Sequence, residues 1–189
     1  MPIPVDASAV WAAEQQIASC EVCTPDLAET LFESVLDAVT GRRLTRFAVG
    51  SRPRFVVFTR DGARAYVSAE NGGTVSYVDA RADTVAGAVV VGNGTTKPTG
   101  LALSPDEKTL YLANGRSNDV AVIDVASRSV VATIAVGERP WGIALSGDGR
   151  TLYTANGRSA SVSIIDVTSR RVTATIAVGG RPYSVLLVP

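Results

Sequence analysis

The sequence contains no histidine, and this absence excludes several kinds of active site. A Ser-His-Asp or Cys-His nucleophile, a His-ligated zinc or copper ion and a His-ligated haem all require an imidazole. There is also no run close to the roughly 20 apolar residues of a membrane-spanning helix. Since 18 basic residues balance 18 acidic residues, we expect neither nucleic acid nor a membrane as a partner.

Cysteine is scarce, and its two copies, Cys20 and Cys23, form a Cys-x-x-Cys pair. Thr24 stands where a haem attachment motif has histidine, so that use is excluded. A structural zinc ion would need two more thiolate or imidazole ligands, which the sequence does not contain. We therefore interpret the pair as two free thiols and expect no bound metal and no cofactor.

The most informative feature of the sequence is an internal repeat. The segment that begins at Lys97-Pro98 recurs at Arg139-Pro140, 42 residues later, and an earlier copy begins at Arg52-Pro53. Each unit divides into four short runs that are typical of strands, separated by turns rich in Gly and Asp. Four strands in about 40–45 residues is the period of a β-propeller blade.

The repeat predicts an all-β fold, a partial β-propeller of four-stranded antiparallel blades. We place an N-terminal segment at residues 1–32 and the propeller repeats at residues 33–189. Full blades are expected at about residues 53–90, 98–135 and 140–177. Partial strands are expected at residues 34–49 and 183–188.

The N-terminal segment contains a typical helix start. Thr24-Pro25-Asp26 combines an N-cap residue with a proline in the first turn, and apolar residues follow at helical spacing. This pattern overlaps the first partial strand, because Ser34 to Asp37 also matches the third strand of the repeat. We expect a short helix that ends near Phe32, with a strand after it.

Several motifs resemble the YVTN family of β-propeller repeat proteins. Tyr111-Leu112-Ala113-Asn114 and Tyr153-Thr154-Ala155-Asn156 are similar to the Tyr-Val-Thr-Asn signature, and Tyr66-Val67-Ser68-Ala69 is a weaker copy. The phrase Arg139-Pro140-Trp141-Gly142 resembles a subgroup associated with PQQ-dependent alcohol catabolism. The resemblance covers about residues 34–189 and implies a bacterial, periplasmic or secreted protein. By contrast, residues 1–13 lack the pattern of a secretory signal, which predicts a cytoplasmic chain if it is complete as written.

The number of blades leaves two interpretations open. The resemblance implies about seven blades, and a propeller needs roughly four or more to close its ring. Three blades in an arc leave two sheet faces uncovered. Either the gene is truncated or rearranged, or two arcs associate as a homodimer that completes one ring.

Four cations occupy one place in the repeat, directly before the Pro that opens each inner strand: Arg52, Lys97, Arg139 and Arg181. Because inner strands line the central channel, these side chains could form a partial collar that binds an anion. Alternatively, each cation pairs with an acidic side chain or a carbonyl and only orders its loop. Trp141 and Tyr183 lie two positions further on, where they could stack on a planar ligand or pack between blades.

Two other repeated positions are expected to be structural. The carboxylates that follow the third strand should accept backbone hydrogen bonds in a turn: Asp79, Asp124 and Asp166. The tyrosines of the second strand should pack between blades with their hydroxyls hydrogen bonded: Tyr66, Tyr111 and Tyr153.

No residues cluster as a catalytic constellation, so the sequence favours a protein that is not an enzyme. We predict a binding or scaffold module whose partner is an unknown protein or a small anionic ligand. Its resemblance implies a role accessory to PQQ-dependent alcohol catabolism. Two alternatives stay open: a lactonase-like propeller hydrolase, in which acidic and arginine side chains would converge on the channel, and a non-functional fragment.

Overall fold

The computed structural model describes residues 9–14, 32–37 and 40–187. All regular structure in these residues is β-strand. The strands are β1 (Ala9–Glu14), β2 (Phe32–Asp37), β3 (Arg43–Ala48), β4 (Pro53–Phe58), β5 (Arg64–Ala69), β6 (Thr74–Asp79), β7 (Thr84–Val90), β8 (Pro98–Leu103), β9 (Thr109–Asn114), β10 (Asp119–Asp124), β11 (Ser129–Ala135), β12 (Pro140–Leu145), β13 (Thr151–Asn156), β14 (Ser161–Asp166) and β15 (Arg171–Ala177).

The strands form antiparallel sheets in which neighbours in sequence are neighbours in space. Blade 1 is β4–β7, blade 2 is β8–β11 and blade 3 is β12–β15, while β1–β3 form a three-stranded sheet. The predicted all-β partial propeller is therefore confirmed. The helix predicted before Phe32 lies outside the described residues, as do Cys20 and Cys23. Strand β1 was not predicted, because its Ala-rich sequence is a poor strand former.

The same side-chain turn joins the first and second strands of every blade. In blade 3, Ser146 Oγ donates to Asp148 Oδ1 at 2.6 Å, and this oxygen accepts from the Arg150 backbone N–H at 3.0 Å. Ser146 Oγ also accepts from the Thr151 N–H at 2.9 Å, which closes the turn. Blades 1 and 2 repeat the hydroxyl–carboxylate bond at Thr59–Asp61 and Ser104–Asp106.

These turns predict a loss of stability in acid. The hydrogen bond from Ser146, and then that from Arg150, lowers the pKa of Asp148 below its ordinary 3.8, and Asp61 and Asp106 have lowered pKa values for equivalent reasons. As the pH falls, these carboxylates are protonated in the unfolded chain before they are protonated in the folded protein, because their folded pKa values are lower. We therefore expect the stability from these bonds to be fully present above the unfolded pKa. It should be lost as the pH falls through the folded pKa. Urea midpoints measured from about pH 6 to about pH 2.5 check this. A midpoint that stays constant over that range would contradict it.

The turn between the third and fourth strands is also held by an aspartate. Asp166 Oδ1 accepts from the Ser169 N–H at 2.7 Å and from its hydroxyl at 2.6 Å, and Asp124 makes the same bonds with Ser127. Asp79 accepts from two backbone N–H groups in blade 1. The structural role predicted for these three aspartates is therefore confirmed.

The core lies between consecutive blades. Tyr66 packs with Leu101 and Leu110 between blades 1 and 2, and Tyr111 packs with Ile143 between blades 2 and 3. The predicted packing role of these two tyrosines is confirmed. The hydrogen-bonded hydroxyl predicted for Tyr66 is wrong, since its oxygen is buried without a hydrogen-bond partner.

The segment after blade 3 takes the place of a further inner strand. A Cβ built on Gly142 of β12 would lie 2.6 Å from Ser184 Cα and 2.8 Å from the Tyr183 carbonyl oxygen. Gly100, at the same position of β8, faces β12 with a Cβ position 2.7 Å from the Trp141 carbonyl oxygen. Residues 181–187 thus lie against blade 3 as β12 lies against blade 2, although they make no sheet ladder within the described residues. The pairing of two arcs into one ring stays a prediction.

Candidate functional site

The predicted cations lie in equivalent loops at one end of the blades, which we call the channel mouth. Arg52, Lys97 and Arg139 all have left-handed backbone conformations, with φ of 58°, 60° and 56°. The carbonyl of each accepts a hydrogen bond from the residue that follows the second strand: Glu70, Gly115 and Gly157, respectively. The backbone carbonyl at these positions therefore joins the loop to the end of the second strand.

Two of these cations also converge on a carboxylate that the sequence did not single out. Glu70 is only 3% exposed, and its Oε2 lies 2.5 Å from Arg54 Nε and 3.3 Å from Arg52 Nε. Arg139 Nη2, from blade 3, lies 3.7 Å from Glu70 Oε1. We call these four residues the Glu70 cluster. Its three guanidinium groups outnumber its one carboxylate, so the channel mouth keeps a net positive charge.

Lys97 does not join this cluster. Its Nζ donates to Asn71 Oδ1 at 2.7 Å, so it contacts a polar loop of blade 1. Thr99, at the position of Arg54 and Trp141, is buried, and its hydroxyl contacts the carbonyls of Ala113 and Pro140 at 3.1 and 3.2 Å. The three blades therefore do not contribute alike to the predicted collar. In the middle blade, Lys97 points to a loop of blade 1, and the neutral Thr99 is packed where the other blades have Arg54 and Trp141.

Trp141 connects the cluster to a neighbouring cleft. The Arg139 guanidinium carbon lies 4.7 Å from the centre of the Trp141 ring, and that of Arg54 lies 5.3 Å from it. These are cation–π distances. Trp141 also stacks on Tyr183, with ring centres 5.4 Å apart and planes inclined by 30°. The predicted stacking residues therefore stack on each other in the structure.

The cleft beside this pair has a volume of about 380 Å³. We call it the aromatic cleft, and its lining residues are Arg139, Trp141, Gly157, Arg158, Arg181, Pro182 and Tyr183. This set contains three arginines and no carboxylate. An anion that enters the cleft therefore meets planar, always charged donors and an aromatic surface.

Of the predicted ligand-binding residues, Arg139, Arg181, Trp141 and Tyr183 lie together at the aromatic cleft, Arg52 lies in the Glu70 cluster, and Lys97 lies apart. Sequence reasoning missed Glu70. A signal was present, because the repeat places Glu70 where the other units have Gly115 and Gly157.

The described residues hold no cluster of three or more His, Cys, Asp or Glu side chains that could bind a metal ion. In the same part of the chain, no helix has the length and apolar character needed to cross a membrane.

A family model described as Lactonase, 7-bladed beta-propeller, matches residues 32–185. No curated protein is significantly similar to the chain. The comparisons do not name the YVTN repeat or the PQQ-associated subgroup, so that finer resemblance stays a prediction.

Many solved structures share the fold. Hydrazine synthase of Kuenenia stuttgartiensis is 30% identical with a TM-score of 0.65, over 70% of this chain and 38% of that one. A candidate 6-phosphogluconolactonase of Bacteroides fragilis is 22% identical with a TM-score of 0.67, over 85% of this chain and 55% of that one. A chain of the mitotic checkpoint complex is 16% identical with a TM-score of 0.70, over 82% and 52%. This chain thus matches between 38% and 55% of these proteins' lengths.

Proposed function

Because this chain belongs to the lactonase family of seven-bladed β-propellers, we propose that it binds an acidic sugar lactone at the channel mouth and hydrolyses its ring ester. The observation that carries this proposal is the aromatic cleft, with three arginines and no carboxylate, directly beside the Glu70 cluster. The lactonase-like alternative predicted that acidic and arginine side chains converge on the channel, and the contact of Glu70 with Arg139 supports it. Family membership supports this hydrolase over a non-catalytic scaffold.

The charge of the cleft supports an anionic substrate. Arg139, Arg158 and Arg181 present guanidinium groups, which pair with phosphate or carboxylate through two parallel hydrogen bonds. Trp141 and Tyr183 provide an apolar surface for the carbon face of a ring. A sugar lactone with a phosphate group meets both requirements, and the likeness to a candidate 6-phosphogluconolactonase is consistent with that class.

Hydrolysis adds water to the lactone carbonyl carbon, breaks the ring C–O bond and produces a hydroxy acid. Negative charge develops on the carbonyl oxygen, and preorganised donors stabilise it. We assign this donor role to Arg139, which lies in both the Glu70 cluster and the aromatic cleft. Arg181 holds the anionic group of the substrate. Glu70 acts as a positioning residue, since its buried carboxylate forms ion pairs with Arg54 and Arg139.

The test is an assay of acid release from 6-phosphogluconolactone, with unphosphorylated gluconolactone as the comparison substrate. We expect hydrolysis above the spontaneous rate and a clear preference for the phosphorylated lactone. Arg181→Ala should reduce kcat/KM for the phosphorylated lactone by about tenfold, because a charge-assisted hydrogen bond is lost. The same variant should change the rate with gluconolactone much less.

The repeat offers a matched control. Arg116 lies 42 residues before Arg158 and does not line the aromatic cleft. We expect Arg158→Ala to weaken the binding of 6-phosphogluconate, measured by calorimetry, and Arg116→Ala to leave it unchanged. Binding of 6-phosphogluconate without turnover of its lactone would contradict the hydrolase and support the scaffold interpretation.

A further inference from the structure

A second cleft lies between blades 1 and 2, at the opposite end of the strands from the channel mouth. Its walls include Arg64 and Tyr66 at the start of β5 and Tyr77 at the end of β6. Glu70 follows the other end of β5, and a strand of six residues spans about 20 Å. The cleft has a volume of about 490 Å³, and we call it the tyrosine cleft. It is therefore separate from the proposed lactone site.

Two phenol hydroxyls in this cleft have no hydrogen-bond partner. Tyr66 is 1% exposed and Tyr77 is 5% exposed, and both hydroxyl oxygens are buried without a partner. Their rings meet edge to face with centres 5.0 Å apart. Burial raises the pKa of Tyr77 to about 12, so its hydroxyl remains a neutral donor. A buried polar group without a partner needs an explanation, and a ligand that pairs with it is one.

Arg128 of blade 2 lies over the ring of Tyr77. Its guanidinium carbon lies 5.0 Å from the centre of the Tyr77 ring, and its Nη1 donates to the Ala86 carbonyl at 2.9 Å. A Cβ on Gly87 would lie 2.7 Å from that Nη1, so the glycine makes room for the arginine. The side chain of Arg128 is exposed, and one hydrogen bond and this ring contact hold it, so a ligand can displace it.

The tyrosine pair is specific to this cleft. Position 77 of blade 1 corresponds to Val122 in blade 2 and Ile164 in blade 3, and Gly87 corresponds to Ala132 and Ala174. Packing between blades therefore does not require a second tyrosine at this place. Among the described repeats, the tyrosine pair and the arginine over the Tyr77 ring occur together at one inter-blade boundary only.

The charges of the lining predict what the cleft accepts. Arg64, Lys108 and Arg128 balance Asp79, Asp106 and Glu107, so the formal charge is zero. The carboxylates already accept hydrogen bonds, for example Glu107 from the Arg60 N–H. Donors and acceptors around a neutral space fit a ligand that carries several hydroxyl groups and no charge. We propose that the tyrosine cleft binds an uncharged polyol of about the size of a monosaccharide.

The test measures binding of D-glucose by calorimetry, with D-gluconate as an anionic comparison that has the same carbon skeleton. We expect saturable glucose binding with a Kd of about 1–10 mM, as for a small ligand held by neutral hydrogen bonds. Gluconate should bind more weakly at this cleft. Tyr77→Phe should raise the Kd for glucose about five- to tenfold.

The melting temperature separates this role from a purely structural one. Since Tyr66→Phe and Tyr77→Phe remove buried hydroxyls that have no partner, the free variants should melt at the same temperature or higher. Tyr111→Phe, the equivalent of Tyr66 in blade 2, should leave glucose binding unchanged. Absence of saturable glucose binding, tighter binding of gluconate, or unchanged binding in the Tyr66→Phe/Tyr77→Phe double variant would each overturn the proposal. Because Arg181 lies at the other end of the blades, Arg181→Ala tests the lactone site independently.

Discussion

Replacement of Glu70 by glutamine is expected to lower the free energy of unfolding by about 2–3 kcal/mol. Glu70 is buried, and its carboxylate is the counter-charge for Arg52, Arg54 and Arg139. Glutamine keeps the shape but removes the negative charge, which leaves three guanidinium groups facing a neutral amide. Removing one partner of a buried ion pair costs more than the pair contributes, because the remaining charge is uncompensated.

Urea unfolding measures this effect, and the chain provides a control. Glu138 is exposed, and within the described residues its side chain makes no ion pair, so Glu138→Gln should change stability by less than about 0.5 kcal/mol. A double variant, Arg54→Met/Glu70→Met, should recover part of the loss, because it removes a buried charge together with a partner. Equal effects of Glu70→Gln and Glu138→Gln would show that the Glu70 cluster does not stabilise the fold.

The same variant connects stability to the proposed function. With Glu70 neutral, the three guanidinium groups have no carboxylate to pair with, and an anion from solution can take its place. We therefore expect phosphate to raise the urea midpoint of Glu70→Gln more than that of the unchanged protein. Phosphate should thus stabilise Glu70→Gln more strongly, but the variant should be a poorer catalyst. Its kcat should fall, because Arg139 loses the contact with Glu70 that positions it.

The repeat made the fold predictable, because the residues that mark the strands and turns of a blade recur in each unit. Pro98 and Pro140 mark the start of an inner strand, and Asp106 and Asp148 mark the following turn. A local signal that is ambiguous once becomes reliable when it recurs at a fixed interval. Strand β1 occurs before the first recognisable unit, so no second copy supported it.

The candidate site was only half predictable, for a related reason. Arg139 and Arg181 were found because they repeat, whereas Glu70 and Arg54 matter because they differ from their counterparts. The contact between Arg139 and Glu70 also joins blade 1 to blade 3 and passes over blade 2. Side chains that meet across a channel are set by the curvature of the whole arc, which no local sequence pattern specifies.

Gly142→Ala is expected to abolish most anion binding at the aromatic cleft while it leaves the fold nearly unchanged. A Cβ at this position would overlap Ser184 Cα and the Tyr183 carbonyl oxygen, at 2.6 and 2.8 Å. These are backbone atoms, so the segment 181–187 must move. Because most residues of this segment are exposed, its displacement should cost less than about 1 kcal/mol of stability. It should nevertheless weaken the binding of 6-phosphogluconate at least about tenfold, since Tyr183 and Arg181 leave Trp141.

Two other glycines make this prediction specific. Gly100→Ala creates the same overlap between blades 2 and 3, but there the partner is strand β12, which is hydrogen bonded into the sheet of blade 3, so stability should fall by about 1–3 kcal/mol. Gly147 has no atom within 4 Å of its Cβ position and a backbone that alanine can adopt, so Gly147→Ala should keep stability and binding, or stabilise slightly. Near-ultraviolet circular dichroism reports the stacking of Trp141 on Tyr183, and calorimetry reports the binding of 6-phosphogluconate. The two measurements on the three variants distinguish these outcomes. Gly142→Ala displaces the segment 181–187 without removing a charged side chain. If this variant bound 6-phosphogluconate as tightly as Gly147→Ala does, the position of the segment would not matter for anion binding, which would contradict the prediction.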